Sequence, residues 1–509
     1  MLLLTLAIAA LALLLSWDFM RKRQRVATFK RSKISGPLSL PILGNGLQAL
    51  SLGADNIIDW VGESFRIYGK TFRMWILGES LVYTKDLKHF EAILGSTTLL
   101  EKGQLYKYLR PFLNDGLLVS VGKKWHARRK VFTTAFHFNV LEHYVCIMDR
   151  HSAVMVQQLR EVADGETAVD MLRFVSLAAL DVITEAAMGV QVNAQSDPKF
   201  PYVQALKSVV NIQSDRMFKF SQRFDWLFSR TCPVLHCKLL GDIRIMHDFT
   251  DKVIRERRAT VEQARADGSY RPLSLGDPEV GRKAQMALLD ILLQATIDGH
   301  PLSDADIREE VDTFMFEGDD TTSSGVSHAL YSISRHPQVQ ERIHTELVQV
   351  LGNDRSTPVT QSKLQELKYL ECVIKETMRL YPPVPAVGRY TTKELQIGAQ
   401  TIPANTSIYL VLYFAHREAE YFPDPLAFKP ERFLNAVSED RETFAYLPFS
   451  AGPKNCIGQK FAMLEMKALI SKVLRYYELL PLGSDVKPMM NFILRSPCGI
   501  NVGLKPRKP

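Results

Sequence analysis

From Met1 to Trp17 the chain is almost wholly apolar, broken only by Thr5 and Ser16. That run sits at the short end of the roughly 17–25 residues that cross a bilayer as a helix. Its positive charge comes afterwards, in Arg21-Lys-Arg-Gln-Arg25, with no small-residue cleavage site between. A cleaved signal peptide carries its charge before the apolar run. The pattern therefore predicts an uncleaved membrane anchor over residues 1–20, with the basic side in the cytosol and the N-terminus in the lumen. Residues 21–45 form a basic and then proline- and glycine-rich hinge, ending in Gly36-Pro-Leu-Ser-Leu-Pro-Ile-Leu-Gly44, a stiff non-helical connector.

Along the body, residues 46–509, periods of two and of three to four alternate. Phe72-Arg-Met-Trp-Ile-Leu and Leu81-Val-Tyr flank Gly78-Glu-Ser and predict a hairpin over Thr71 to Thr84. A short helix over Asp86 to Leu94 follows. The segment Lys123 to Lys130 opens a basic helix with Trp125 and Arg129 on one face. Long helical patterns run on through Met188. Phe200 to Asp242 mixes Phe, Trp and Leu with basic residues, which suits a membrane-surface contact or pocket lid as well as a plain helical core. Arg265 to Arg282 has the composition of a loop.

The longest helical pattern is Ser303 to Arg335, capped by Ser303 with Asp306 and stopped by Pro337. Apolar residues recur at Ile307, Val311, Phe314, Met315, Val326, Leu330 and Ile333. Halfway along stands Glu317-Gly-Asp-Asp-Thr-Thr322. A mid-helix glycine costs about 1 kcal/mol against alanine, and a local rule broken inside a buried element marks a site; on an exposed turn it marks nothing. Leu364 to Leu380 reads as a helix carrying Glu376 and Arg379, and Tyr381-Pro-Pro-Val-Pro385 stops it. Leu395 to Leu412 alternates as strands around Pro403-Ala-Asn. Finally Phe449-Ser-Ala-Gly-Pro-Lys-Asn-Cys-Ile-Gly458 precedes a helix over Gln459 to Tyr477. Gly452 and Pro453 predict a tight turn, and Gly458 a close backbone approach. Such a loop fixes Cys456 with amides turned toward its sulfur, as a metal-ligating thiolate needs. It equally suits a helix entry with an inert buried cysteine. The pattern as a whole predicts one mainly helical domain with small sheets.

Composition changes this picture little. At 509 residues with 46% hydrophobic and 23% charged positions, the chain can build a large core without disulfides. The six cysteines have no framework spacing and are expected reduced, with Cys232 and Cys237 structural. The net charge of +8 is modest, and no nucleic-acid partner is expected. No convincing glycine fingerprint for a flavin or nicotinamide is present, so any electrons must come from another protein.

Taken in order, the pieces resemble the cytochrome P-450 heme-thiolate monooxygenases. They are an N-terminal anchor with a proline hinge, Trp125-x-x-x-Arg129, Gly318-x-Asp320-Thr321, Glu376-x-x-Arg379, Pro430-Glu-Arg-Phe433 and Phe449-x-x-Gly452-x-Lys454-x-Cys456-x-Gly458. Glu310 to Gly318 and Pro448 to Pro453 are similar to the fourth, fatty-acid omega-hydroxylase, branch. The resemblance implies heme b with Cys456 as axial thiolate on the iron, and Phe449 packed beside the sulfur. It implies heme carboxylates bound by Trp125, Arg129, Arg389 and Lys454, and a buried structural network of Glu376, Arg379 and Arg432. Asp320 and Thr321 would be the acid–alcohol pair that delivers the protons consumed in O–O cleavage. Glu317, one turn before Thr321, would link covalently to the heme. Two departures stand out. Lys454 replaces the usual arginine and loses its bidentate fork. Asp319 replaces the branch's common histidine and places three carboxylates within four residues, where repulsion can raise a pKa.

The same resemblance implies O2 as co-substrate and a flavoprotein NADPH-dependent reductase, with cytochrome b5 as a further donor. These would dock on a basic face of Lys123 to Lys130, Lys454 and Lys460. It also implies a lipophilic substrate, either a fatty acid or a foreign compound, and an endoplasmic reticulum membrane with the catalytic domain on the cytoplasmic face. Candidate pocket segments are Leu105 to Leu118, Phe200 to Phe228, the helix near Phe314, and Val384 to Val387. A heme-thiolate isomerase or dehydratase would need no proton relay such as Asp320-Thr321. A heme carrier or sensor would not need relay, anchor and docking face together.

Overall fold

The computed structural model describes residues 2–135, 138–219, 222–268, 287–434 and 442–508. All but the first four residues of the loop expected over Arg265 to Arg282 lie outside them. The first helix does not stop where the apolar run stops. α1 spans Leu2–Arg31 and is long and apolar enough to cross a membrane. Its early part is exposed. Further along it docks on the body, with Phe29 fully buried and edge-on to Trp75 at 5.9 Å. The Ile42 N–H donates to Asp18 at 2.8 Å. The basic half of the expected hinge is thus helix, because Lys, Arg and Gln are good helix formers and no breaker precedes Gly36-Pro37. The Gly36–Gly44 connector is non-helical, as expected, but docked: Gly44 bridges Ile76, and the Trp75 N–H donates to Asn45 at 2.9 Å.

After α2 (Ile57–Tyr68), the expected hairpin forms from β1 (Thr71–Ile76) and β2 (Glu79–Thr84), in antiparallel register with Thr71 opposite Thr84. Asp86 caps α3 (Leu87–Leu94) by accepting from the Lys88 N–H at 3.0 Å. Helices α4 (Gly122–Ala135), α5 (Phe138–Leu159), α6 (Met171–Met188), α7 (Pro201–Phe218) and α8 (Pro233–Ala266) follow. Then come α9 (Asp304–Ser334) and α10 (Lys368–Leu380), β3 (Val387–Thr391) and β4 (Thr406–Leu410), and α11 (Gln459–Tyr476). The hairpin joins the later strands in one sheet of order β1-β2-β4-β3, with β2 and β4 parallel. A second sheet pairs Tyr477–Leu480, Asn501–Pro506 and Ala168–Asp170. The architecture is mainly helical with small sheets.

The largest core gathers around α5, α6, α9 and α11. α9 carries the expected cap: the Asp306 N–H donates to the Ser303 hydroxyl at 3.1 Å and Asp306 reaches back to the Ser303 N–H. It crosses α6 so closely at Gly318 that a Cβ there would lie 2.5 Å from Ile183 Cγ1. The mid-helix glycine therefore sets helix–helix distance. The pattern read as one helix over Leu364 to Leu380 is broken at Leu367, with a short turn of helix over Gln361–Glu366 before α10.

α10 presents Glu376 and Arg379 to the interior, both fully buried. They form a bidentate pair with two contacts of 2.8 Å, and Arg432 adds a third at 3.3 Å. Arg379 also donates to the carbonyls of His416, Pro425 and Ala427, and the Lys429 N–H donates to Glu376 at 2.8 Å. One ion pair thereby pins the irregular segment from His416 to Lys429. Removing one partner of a buried pair strands the other charge, at about 3–5 kcal/mol. Arg379→Ala should lower stability by about that amount in thermal or denaturant unfolding, whereas Arg66→Ala, which breaks the exposed pair with Glu63, should leave the melting point unchanged.

Candidate active site

The Phe449–Gly458 loop is a tight turn seated on the end of α3. Gly452 has φ +70°, and a Cβ on it would lie 1.8 Å from the Leu94 carbonyl oxygen. The Asn455 N–H closes the turn on Gly452 O at 3.1 Å, and the Cys456 N–H donates to Phe449 O at 2.9 Å. Arg129 crosses from α4 to hold the loop through the Asn455 carbonyl at 2.9 Å and its side-chain oxygen at 2.6 Å. The Gly458 N–H points at the Cys456 sulfur and favours its thiolate. Gly458 makes no close backbone approach, contrary to expectation; the nearest atom to a Cβ there would be the Cys456 sulfur at 3.9 Å.

Cys456 opens into a cavity of about 190 Å³. Its side chain is exposed, but to this cavity and not to bulk water. Burial, then the nearby Glu317 charge, pushes the thiol up to about 12. Trp125, Arg129, Phe449 and Lys454 line the same cavity, so spacing in the sequence has brought them together. Lys454 is buried, with its Nζ 2.6 Å from the Ser120 carbonyl oxygen and 4.7 Å above the Trp125 ring. Burial, then the Arg389 charge, pushes it down to about 7. Arg389 itself is buried on β3 and donates to the Gly388 carbonyl at 3.1 Å. Lys102, which the sequence reading missed, joins the lining, and burial beside Arg389 and Lys454 drives it well below the usual lysine range. It is a lone lysine in a loop, without a motif to mark it. A thiol, apolar walls, the lining cations Lys102, Arg129 and Lys454, and Arg389 outside the lining but near enough to lower both lysines, suit a flat metal macrocycle bearing carboxylates. The donor set therefore fits the heme that the resemblance implies.

The turn Glu317 to Thr322 stays helical and divides its side chains. Glu317, Thr321 and Thr322 line the cavity, and the Thr321 hydroxyl donates to the Glu317 carbonyl at 2.7 Å. Burial raises Glu317, against the pull of Lys102, Arg129 and Lys454. Asp320 turns instead to Arg495, with which it forms a partly buried ion pair. Asp319 is buried beside Ser323, whose hydroxyl lies 3.2 Å from it, and is raised to about 7 by burial first and the Asp320 charge second. Desolvation outweighs the repulsion expected from the crowded carboxylates.

A second cavity of about 230 Å³ shares the Glu317 and Thr321 wall and is otherwise mostly apolar. Leu105 to Leu118, Phe218 and Val384 to Ala386 contribute to it, as expected. Phe314 does not; it packs on Phe132 at 4.8 Å, and Phe316 takes the lining position. The walls from α2, β1 and β2, such as Val61, Met74 and Leu81, were not legible as pocket because alternation shows a buried face without showing what it faces.

The expected basic docking face is thinner than the sequence suggests. Lys454 points inward and is not part of it. Arg128 is buried against Glu310 at 2.7 Å and Asp306, and Lys124 pairs with Glu309 at 2.7 Å. The acidic start of α9 absorbs this half of α4, leaving Lys123, Lys130 and Lys460 exposed.

A family model described as Cytochrome P-450 matches residues 34–503. The chain is 76% identical over 505 residues to the probable cytochrome P-450 4d20 of Drosophila melanogaster, covering 99% of each chain. From the same organism, probable cytochrome P-450 4d21 is 63% identical over 503 residues, covering 99% of this chain and 98% of that one. Cytochrome P-450 4d2 is 48% identical over 503 residues, with the same coverage. Matches of this length span the first helix, the cavities and the cysteine loop alike, and they make the chain a member of the cytochrome P-450 family, in its fourth branch, and a heme-dependent monooxygenase.

Proposed function

We propose that this monooxygenase hydroxylates the terminal carbon of a fatty acid or a similar lipophilic chain. The observation that carries the reading is that an apolar cavity of about 230 Å³ meets the cysteine-lined cavity on one wall, at Glu317 and Thr321. A chain lying in the first reaches the second end-on. Bound heme supplies the activation of O2. Cys456 would hold its iron with Phe449 beside the sulfur, and Trp125, Arg129, Arg389 and Lys454, joined by Lys102, would bind its carboxylates by charge-assisted hydrogen bonds. Thr321 orients water, and Asp320, held by Arg495, returns protons to it, while the apolar lining keeps bulk water out. Glu317, on the cavity wall, would be the residue through which the heme is covalently held. α1 anchors the chain in the endoplasmic reticulum membrane with the body on the cytoplasmic face. A flavoprotein reductase using NADPH, and cytochrome b5 as a second donor, dock at Lys123, Lys130 and Lys460.

With reductase, NADPH and a panel of fatty acids and foreign lipophiles, the enzyme should give NADPH-dependent, terminally hydroxylated fatty acids. Products confined to the foreign compounds would replace the fatty-acid reading, and no NADPH-dependent oxygenated product would remove it altogether. Acid-denaturing chromatography checks Glu317 separately: wild type should retain heme on the protein and Glu317→Ala should release it. Complete release from both would eliminate the ester.

A further inference from the structure

The larger cavity is lined almost wholly by apolar and aromatic side chains, and among the described residues only two charged groups line it, Glu317 and Arg223. Glu317 belongs to the wall shared with the cysteine cavity, and its charge bears on Lys102, Arg129 and Lys454. Arg223 belongs to a different neighbourhood, where its charge bears on Glu79, Tyr108 and Tyr409. Arg223 thus lines the larger cavity and not the cysteine cavity, away from the wall the two share. We propose, resting on the fatty-acid reading above, that Arg223 is the anchor for the substrate's carboxylate and so orients the chain with its far end at Thr321.

The position is built, not incidental. The Arg223 carbonyl accepts from the Tyr108 hydroxyl at 3.0 Å, and its guanidinium donates to Glu79 on β2 at 2.8 Å. That contact uses one of the five N–H donors of a planar fork suited to carboxylates. Glu79, by charge and by hydrogen bond, holds Arg223 protonated against its burial. Around it Lys107, Arg216 and Arg223 face Glu79 and Asp225, three positive against two negative, a balance of +1. Arg216 is committed to Asp225 and Gln213 and lies over the Phe228 ring at 4.4 Å, and Lys107 lies over the Tyr108 ring at 5.3 Å; of the three only Arg223 lines the cavity. Walls such as Val61, Met74 and Leu81 cannot solvate a carboxylate, and an unpaired buried carboxylate is costly. Among the described residues Arg223 is the one cation lining that cavity, so it is where a chain's carboxylate finds a partner.

The test uses heme-loaded enzyme and the optical shift on displacing water from the iron, titrated with a medium-chain fatty acid and its methyl ester. Wild type should bind the acid more tightly, by roughly tenfold, the usual worth of a hydrogen bond to a charged partner. Arg223→Met should bring the acid to parity with the ester and leave the ester unchanged, and Arg223→Lys should retain part of the preference. Glu79→Gln, which removes the competing carboxylate, should tighten the acid alone; this gain guards against a merely misfolded Arg223 variant. An acid-to-ester ratio unaltered by Arg223→Met, or equal binding by wild type, overturns the anchor while leaving the fatty-chain reading in place. No shift with either ligand removes that reading, and the anchor with it.

Discussion

The heart of the molecule is a charge imbalance. Lys102, Arg129 and Lys454 line a cavity whose own counter-charge is Glu317, and Arg389 is buried nearby; burial lowers all four, and repulsion from neighbouring cations lowers Lys102 and Lys454 further. Buried charge of one sign is costly unless paired. The site is thus complementary to a ligand carrying negative charge on its rim, and binding that ligand relieves a cost already built into the chain. The surrounding elements serve this arrangement. α4 supplies Arg129 to tie the cysteine loop, β3 places Arg389, and the loop's turn at Gly452 lets it sit against Leu94. Because binding energy adds to folding energy when only the folded chain binds, heme loading and stability are one problem here.

The Glu376–Arg379 pair solves a different problem. The segment from His416 to Lys429 is irregular and leaves backbone carbonyls to be satisfied. Arg379 answers three of them at once while neutralised by Glu376. In the sequence this pair was legible as a spacing, and by itself such a spacing is worth only a few tenths of a kcal/mol on an exposed helix. Burial changes its meaning, since the pair is fully enclosed and its partners come from chain segments 37 to 56 residues away.

The same distinction explains what else could be read. The Ser303–Asp306 cap, the Thr71–Thr84 hairpin and the Gly452 turn depend on residues a few positions apart, and local chemistry decides them. Lys102 carries no local signal, and Arg495 reaches Asp320 across 175 residues. Lys454 looks like a surface charge beside Lys460 until the turn rotates it inward onto Ser120 and Trp125. The continuation of α1 into the basic segment was hidden for another reason: composition marks where a membrane run ends, while helix propensity does not change there.

The crowded turn of α9 shows how one helix serves several neighbours. Successive residues on a helix are rotated by about 100°, so positions four apart share a face and adjacent ones do not. Glu317 and Thr321 therefore face the cavities together. Asp319 and Ser323 form the next stripe, toward the buried Glu465 of α11, which burial holds well above the usual carboxylate range. Asp320 falls between, where Arg495 waits. Three carboxylates in four residues are tolerable because each meets a different environment: a cationic cavity, a desolvated helix interface and an ion pair. Burial in the interface raises Asp319 and so weakens the negative charge beside Asp320, which stays paired with its arginine. Gly318 is what makes the division possible. By letting α6 approach, it closes the helix's back and forces its polar residues to choose among the remaining faces.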